Sequence, residues 1–162
     1  MTKLIALFTL MHLIVAPTAL KQTVTIKGSD TMVILVQRWS EIYGAKNANV
    51  QFQVTGGGSG TGISSLLNGT TDICSSSRPI KPSEVAQLKS KYKSKGIEVA
   101  VARDGISVYV HKNNPVTKLT VTQLRDIFLG KLTNWKQVGG RDAKIVLYSR
   151  ENNSGTYEFV KE

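Results

Sequence analysis

Cysteine and histidine are nearly absent from this chain of 162 residues, which contains one cysteine and two histidines. A single cysteine, Cys74, cannot form an internal disulfide, so the hydrophobic core must hold the fold together. We interpret Cys74 as a small buried hydrophobic residue and not as a nucleophile. No spacing typical of a metal site occurs, and His111 is the one histidine beyond the apolar N-terminus. The sequence therefore predicts no metal, no cofactor and no histidine-assisted nucleophilic catalysis.

Acidic residues are also few, since 11 Asp and Glu stand against 21 Lys and Arg and give a formal charge of +10. This excess favours anionic partners. Much of it comes from a row of lysines on or just before a predicted helix, namely Lys81, Lys89, Lys91, Lys93 and Lys95. We interpret the row as a solvated helix face and predict no nucleic-acid partner, because no nucleic-acid motif or interleaved aromatic set accompanies it.

The N-terminal apolar run, residues 4–15, is too short to span a bilayer. One charge, Lys3, precedes the run, and small residues follow it. This arrangement predicts a secretory signal peptide over residues 1–19 and therefore a periplasmic protein. An anchoring or buried helix is the alternative interpretation.

Segments with the two-residue period of strands alternate with segments of helical period along the rest of the chain. This alternation predicts an α/β fold, with a mainly parallel sheet and helices on both faces. The predicted strands are residues 23–27, 50–54, 72–76, 97–102, 106–111 and 144–149, and the predicted helices are residues 31–44, 63–68, 82–96, 121–129 and 157–162.

A breaker at residues 112–115 suggests two lobes. We predict a first lobe over residues 20–109 and a partial second lobe over residues 110–162. The second lobe offers little material for an independent core. We therefore expect the chain to be a fragment or truncated form with an incomplete second lobe.

Glycine and hydroxyl residues cluster at three points where a predicted strand meets a helix. We call residues 28–31 (GSDT) the first corner, residues 55–62 (TGGGSGTG) the second and residues 150–156 (RENNSGT) the third. Glycine-rich backbone amides, hydroxyls and helix N-termini bind anions, and ligands of parallel sheets lie beyond the carboxyl ends of the strands. Arg150 adds a planar fork that matches two oxygens. The corners therefore predict an oxyanion site, with a flexible glycine/serine connection and a surface arginine as the alternatives.

Enzymatic motifs are not matched by the second corner. A P-loop requires a lysine after its glycines, and the dinucleotide pattern GxGxxG fails in every register of residues 56–62. The nucleophile elbow GxSxG fails because Thr61 stands where glycine is needed. The sequence therefore predicts a protein that is not an enzyme and has no catalytic residues.

The motifs GSDT, GGGSGTG, SSSRP, IFLGKLTNW and SRENNSGT follow the N-terminal run in this order. Together they resemble the periplasmic phosphate-binding proteins of bacterial phosphate ABC transporters. The resemblance implies a type II periplasmic binding fold in which two hinged lobes close on inorganic phosphate. It also implies a monomer that delivers phosphate to an inner-membrane ABC permease, and full-length members much longer than this chain.

The resemblance further implies which residues contact phosphate. These are Asp30 and Thr31 at the first corner, Ser59 at the second, and Arg150, Ser154, Gly155 and Thr156 at the third, with Thr61, Ser77 and Arg78 as further candidates. Asn152 stands where the family often has an acidic partner for the arginine.

Ser77 departs from the family pattern, because many members have an aspartate there that accepts the proton of hydrogen phosphate and so rejects sulfate. We hypothesise that Asp30 supplies this acceptor, and a helix N-cap is its competing role. For Arg78, a structural ion pair is the competing role.

Two other functions stay open at this point: an exported phosphatase-like, phosphoester-binding protein, and a truncated module that no longer binds ligand. Lobe closure needs a complete second lobe. We therefore expect weak or absent binding by this chain alone and good binding by a complete version.

Overall fold

A computed structural model describes residues 21–161, so the predicted signal peptide lies outside the described residues. The chain divides into two units, which meet in sequence between Ser76 and Ser77. The lobe limits that the sequence suggests, residues 20–109 and 110–162, stay a prediction. Among the described helices, none combines the length and apolarity that crossing a membrane requires.

The first unit contains a parallel sheet of three strands, β1 (Gln22–Gly28), β2 (Val50–Thr55) and β3 (Ile73–Ser75), in the order β2-β1-β3. Ile26 of β1 pairs with Val54 on one side and with Ile73 on the other. The chain moves from β1 to β2 in one direction and then crosses β1 to reach β3. Right-handed connections therefore place the two intervening helices on opposite faces of the sheet, which confirms the predicted α/β architecture.

The first of these helices, α1 (Val33–Lys46), packs on the face of the sheet that carries Phe52. The rings of Tyr43 and Phe52 meet edge to face, with centroids 5.6 Å apart. A single 3₁₀ turn, Asp30–Met32, precedes α1, so the helix begins later than predicted. The sequence predicted that the helix ends at Gly44, but it continues to Lys46 with Asn47 as its C-cap.

The second helix, α2 (Ser59–Asn68), lies against β1 and β3 through Gly62. A Cβ atom at Gly62 would stand 2.5 Å from the Cα of Gly28 and 2.9 Å from the Sγ of Cys74. The close approach explains why α2 starts within the second corner, four residues before its predicted start. Tertiary packing there outweighs the low helix propensity of glycine.

The second unit is built from three α-helices, α3 (Pro82–Tyr92), α4 (Val121–Phe128) and α5 (Gly155–Lys161), and a 3₁₀ turn, Trp135–Val138. Thr120 and Gln123 form the predicted capping box of α4, with Gln123 N donating to Thr120 Oγ1 at 3.1 Å. Helix α3 ends at Tyr92, before the predicted Gly96, because Lys93 adopts a left-handed conformation with φ of 56°.

Three predicted strands, at residues 97–102, 106–111 and 144–149, are not strands in the described structure. The last of them forms a single antiparallel bridge between Asn134 and Lys144. The first two keep an alternating apolar pattern but pair with no neighbouring strand, so Ile97 and Val99 are exposed by 96% and 69%. A two-residue apolar period does not by itself make a strand, because a strand also requires ladder hydrogen bonds to a partner.

Substituting Gly62 with alanine should separate α2 from the sheet, because the new methyl group would overlap the backbone of β1. We expect the free energy of unfolding to fall by about 2 to 3 kcal/mol, as for other overpacked contacts. Urea unfolding measures this loss. The matched control is Gly44→Ala in α1, where the nearest atom would be 3.9 Å away. That variant should be neutral or more stable by up to about 1 kcal/mol, and an equal loss in both variants would contradict the packing explanation.

Candidate anion-binding site

The first corner leaves β1 directly over the end of β3. Gly28 pairs with Ser75, and Ser29 N donates to Ser75 O at 2.9 Å. A Cβ atom at Gly28 would lie 1.8 Å from that same carbonyl oxygen, and the φ of Gly28 is 154°. No side chain fits at this position. The first corner and the carboxyl end of β3 are therefore held in contact by backbone atoms.

Asp30 joins the first corner to the second. Its Oδ1 accepts a hydrogen bond from Gly57 N at 2.7 Å, and a Cβ at Gly56 would stand 2.3 Å from the same oxygen. Lys27 and Thr55, the last paired residues of β1 and β2, place the two corners side by side at the carboxyl edge of the sheet. The prediction that strand-end corners meet at one edge is thus confirmed for these two.

The N-cap interpretation of Asp30 is wrong. Ser29 occupies the N-cap of the 3₁₀ turn and Met32 that of α1, and neither end has a side-chain capping hydrogen bond. The extra turn displaces Asp30 from the α1 terminus, so its carboxylate faces the glycine loop instead.

The second corner consists of a short loop and the first turn of α2. Gly58, with φ of 89°, is the N-cap, and Ser59 is the first helical residue and is inaccessible to solvent. Thr61 is half-buried in the same turn. The positive end of the α2 dipole therefore lies at this corner. Thr31 is exposed in the 3₁₀ turn of the first corner.

The third corner belongs to the second unit and begins α5. Ser154 is 3% exposed, and its Oγ accepts a hydrogen bond from Tyr157 N at 3.3 Å. Gly155 is buried and Thr156 half-buried. Arg150 Nε donates to Glu151 Oε2 at 2.9 Å. The acidic neighbour of the arginine is thus Glu151, one residue before the Asn152 to which the resemblance pointed.

Arg78 forms a two-pronged ion pair with Glu84, with nitrogen–oxygen distances of 2.7 and 3.0 Å. The two side chains are only 9% and 16% exposed. This is the structural ion pair that the sequence left open as a second role for Arg78. Ser77, the residue before it, is half-buried.

The pKa of Glu84 lies below its ordinary value of 4.5. Burial raises this pKa, but the hydrogen bonds from Arg78 and from the Lys81 backbone amide, together with their positive charges, lower it by more. Glu84 also caps α3 from its third position, receiving Lys81 N at 2.8 Å. This capping position is the sequence signal that could have identified Glu84.

A second ion pair was not predicted from the sequence. Lys81 Nζ donates to Glu158 Oε2 at 2.6 Å, although the two residues are 77 positions apart. The hydrogen bond from Lys81 lowers the pKa of Glu158. No local pattern could reveal a contact between residues so distant in sequence.

No group of Cys, His, Asp and Glu able to hold a metal occurs in the described part of the chain. Two open grooves of about 310 and 360 Å³ lie on the second unit, and residues such as Trp135 and Val116 line them. Neither groove is lined by a residue of the three corners.

Comparison with known proteins gives a family match over most of the chain. Residues 15–162 match the model of a PBP superfamily domain. Phosphate-binding protein PstS of Staphylococcus epidermidis is 35% identical over 142 residues, which are 84% of this chain and 42% of that protein. The protein of the same name from Pseudomonas aeruginosa is 35% identical over 147 residues, 83% of this chain and 46% of that protein. The chain thus spans less than half the length of these relatives.

Solved structures agree with this match. One is a Clostridium perfringens protein described as a phosphate ABC transporter substrate-binding protein and crystallised with bound phosphate. It has a TM-score of 0.74 and 37% sequence identity, and the match covers 86% of this chain and 55% of that protein. An ABC-type phosphate transport receptor from Vibrio cholerae has a TM-score of 0.65 and 35% sequence identity. The match covers 85% of this chain and 53% of the receptor chain.

Replacing Asp30 with alanine should release the glycine loop. Charge-assisted hydrogen bonds contribute about 1.5 to 3 kcal/mol, so we expect hydrogen exchange of the Gly57 amide to accelerate about tenfold or more. Asp30→Asn keeps a carbonyl acceptor and should accelerate it less. The control is Asp72→Ala, which removes a similar carboxylate bond to Thr25 N at 2.7 Å and should affect Thr25 but not Gly57. Unchanged exchange at Gly57 in Asp30→Ala would contradict the proposed clamp.

Glu84→Gln should destabilise the second unit by about 2 kcal/mol at neutral pH, because the poorly exposed Arg78 loses its counter-charge. The folded pKa of Glu84 is lowered, so its ionic contribution is complete above the ordinary value of 4.5 and is lost as the pH falls through the lowered pKa. The stability difference between the two proteins should therefore shrink below about pH 4.5.

Urea unfolding followed by Trp135 fluorescence measures this difference, in a Trp39→Phe background that leaves one tryptophan of the original two. Lys136→Met is the control, since it breaks an exposed pair with Asp142 and should cost less than about 1 kcal/mol. A difference independent of pH would show that the charge of Glu84 is not what stabilises the unit.

Proposed function

The chain belongs to the PBP superfamily, and we propose that it is part of a solute-binding protein that binds inorganic phosphate for an ABC permease. The relatives named for phosphate binding and the similar structure with bound phosphate support this proposal. The observation that carries it within this chain is the Asp30–Gly57 bond, which couples two glycine- and hydroxyl-rich corners at the carboxyl edge of a parallel sheet.

The proposed phosphate contacts are of two kinds, one in each unit. The first unit would supply uncharged donors, the amides and hydroxyls of Thr31 and Ser59, at the positive end of the α2 dipole. The second unit would supply Arg150 and the hydroxyls of its own corner. The proposed contacts of the second unit are Ser77, Arg150, Ser154, Gly155 and Thr156. A micromolar dissociation constant corresponds to about 8 kcal/mol, which several charge-assisted bonds of about 1.5 to 3 kcal/mol can supply after desolvation.

Asp30 can combine its structural role with the acceptor role proposed for it. A carboxylate has about four lone-pair sites, so accepting Gly57 N at Oδ1 does not use its whole capacity. The proton of hydrogen phosphate would donate to this carboxylate. Sulfate, which carries no proton, would meet it as a like charge and be rejected.

We further propose export to the periplasm through the signal peptide predicted at residues 1–19. The relatives are named for binding and transport, so the proposed role involves no covalent chemistry. A phosphatase-like activity is the competing function, and turnover of a chromogenic phosphate ester would reveal it.

Phosphate added to the isotope-labelled chain should shift the backbone amide resonances of Thr31, Ser59, Ser154 and Thr156 in a saturable manner. Nuclear magnetic resonance detects even a millimolar dissociation constant, which corresponds to about 4 kcal/mol, and so also covers weak binding by the chain alone. Arg150→Met should weaken binding about tenfold or more by removing the cation. Arg141→Met, which removes an exposed arginine outside the corners, should not.

The same titration with sulfate tests the acceptor role of Asp30. Wild type should prefer phosphate, and Asp30→Asn should lose much of that preference. An equal preference in both proteins would remove Asp30 from selectivity but leave phosphate binding intact. Absence of any shift at the corners at about ten millimolar phosphate, well above a millimolar dissociation constant, would overturn the proposed function if a version extended to the length of its relatives also showed none.

A further inference from the structure

The ion pair between Lys81 and Glu158 connects two parts of the second unit that each carry proposed phosphate contacts. Lys81 precedes α3, and Glu158 lies in the first turn of α5. Their charged atoms are 2.6 Å apart, and the side chains are 42% and 22% exposed. The contact is therefore short and partly protected from solvent.

At its Lys81 end, the pair is attached to a rigid anchor. The Lys81 amide donates to Glu84 Oε2 at 2.8 Å, and Glu84 is gripped at both carboxylate oxygens by Arg78. We call the connected set Arg78, Glu84, Lys81 and Glu158 the ion-pair bridge. The Arg78–Glu84 pair is poorly exposed, and its hydrogen bond from the Lys81 amide holds the Lys81 backbone in one position. From this position the Lys81 side chain contacts Glu158.

At its other end, the bridge holds the third corner. Glu158 N donates to Ser154 O at 3.2 Å, and Tyr157 N donates to Ser154 Oγ at 3.3 Å. Helix α5 has only seven residues, which is too short to be stable without tertiary contacts. A tie at Glu158 therefore restrains the turn that carries Ser154, Gly155 and Thr156.

We infer that Lys81 and Glu158 are positioning residues that hold the third corner in place relative to Ser77, which directly precedes Arg78. The inference rests on the proposed function for its ligand, but its structural part concerns α5 alone. Neither residue needs to touch phosphate. A partly exposed ion pair contributes little to global stability, so the effect of the bridge is local order in a short helix.

Hydrogen exchange of the ligand-free chain tests the structural part. Lys81→Met and Glu158→Gln should each accelerate exchange of the Tyr157 and Glu158 amides by about two- to five-fold, as expected for the loss of one partly exposed pair. Lys81→Arg keeps the cation and should restore exchange close to wild type. Lys136→Met, which breaks a pair exposed by 73% and 71%, should leave α5 unchanged.

Phosphate titration of the same variants tests the functional part. Lys81→Met and Glu158→Gln should raise the phosphate dissociation constant by a similar two- to five-fold, and Lys81→Arg should not. Unchanged exchange at Tyr157 and Glu158 would overturn the inference. Faster exchange combined with wild-type phosphate affinity would also overturn it, because the ion pair would then be a structural contact only. A wild type without a phosphate response, also when extended to the length of its relatives, would overturn the proposed function alone, because exchange would still decide whether the bridge holds α5.

Discussion

The hydrogen bond from Gly57 N to the Asp30 carboxylate is the interaction on which the geometry of the first unit depends. Parallel pairing brings the strand ends together, but it does not determine the positions of the loops beyond them. Asp30 determines these positions, because its carboxylate bonds the first corner to the second. The bond also explains the residue types around it, because Gly56 has no room for a side chain beside the carboxylate. A glycine-rich loop that is flexible in isolation is thus held in one position at Gly57.

The second unit achieves the same order by a different means. In the described residues, the only pairing shortly before its corner is the single bridge between Asn134 and Lys144, and its helices are short, so strand pairing contributes little to fixing the corner. Side-chain charge does so instead, through Arg78 with Glu84 and Lys81 with Glu158. The pKa values of both glutamates are lowered, which shows that the folded unit favours their charged forms. This part of the second unit therefore loses its support when the two carboxylates are protonated.

The sequence predicted what is local and periodic. The two-residue period placed β1 and β2, and the Thr120–Gln123 spacing placed the start of α4, because these signals depend only on neighbouring residues. The same period at residues 97–102 was misleading, since it specifies extended backbone but not a partner strand. The N-cap alternative for Asp30 failed for a similar reason: its spacing suits an N-cap, but an extra 3₁₀ turn separates it from α1 and its carboxylate accepts Gly57 N instead. The Lys81–Glu158 contact has no local signal at all.

Charge balance at the corners bears on how the site would discriminate between anions. Arg150 is already paired with Glu151, and Arg78 with Glu84, so each proposed cation brings a carboxylate with it. An incoming anion would therefore compete with a carboxylate for each arginine through directed, charge-assisted hydrogen bonds. The Arg150–Glu151 pair is exposed by 41% and 70% and is weak enough to be exchanged for an anion, whereas the Arg78–Glu84 pair is not. This difference favours Arg150 over Arg78 as the ligand contact.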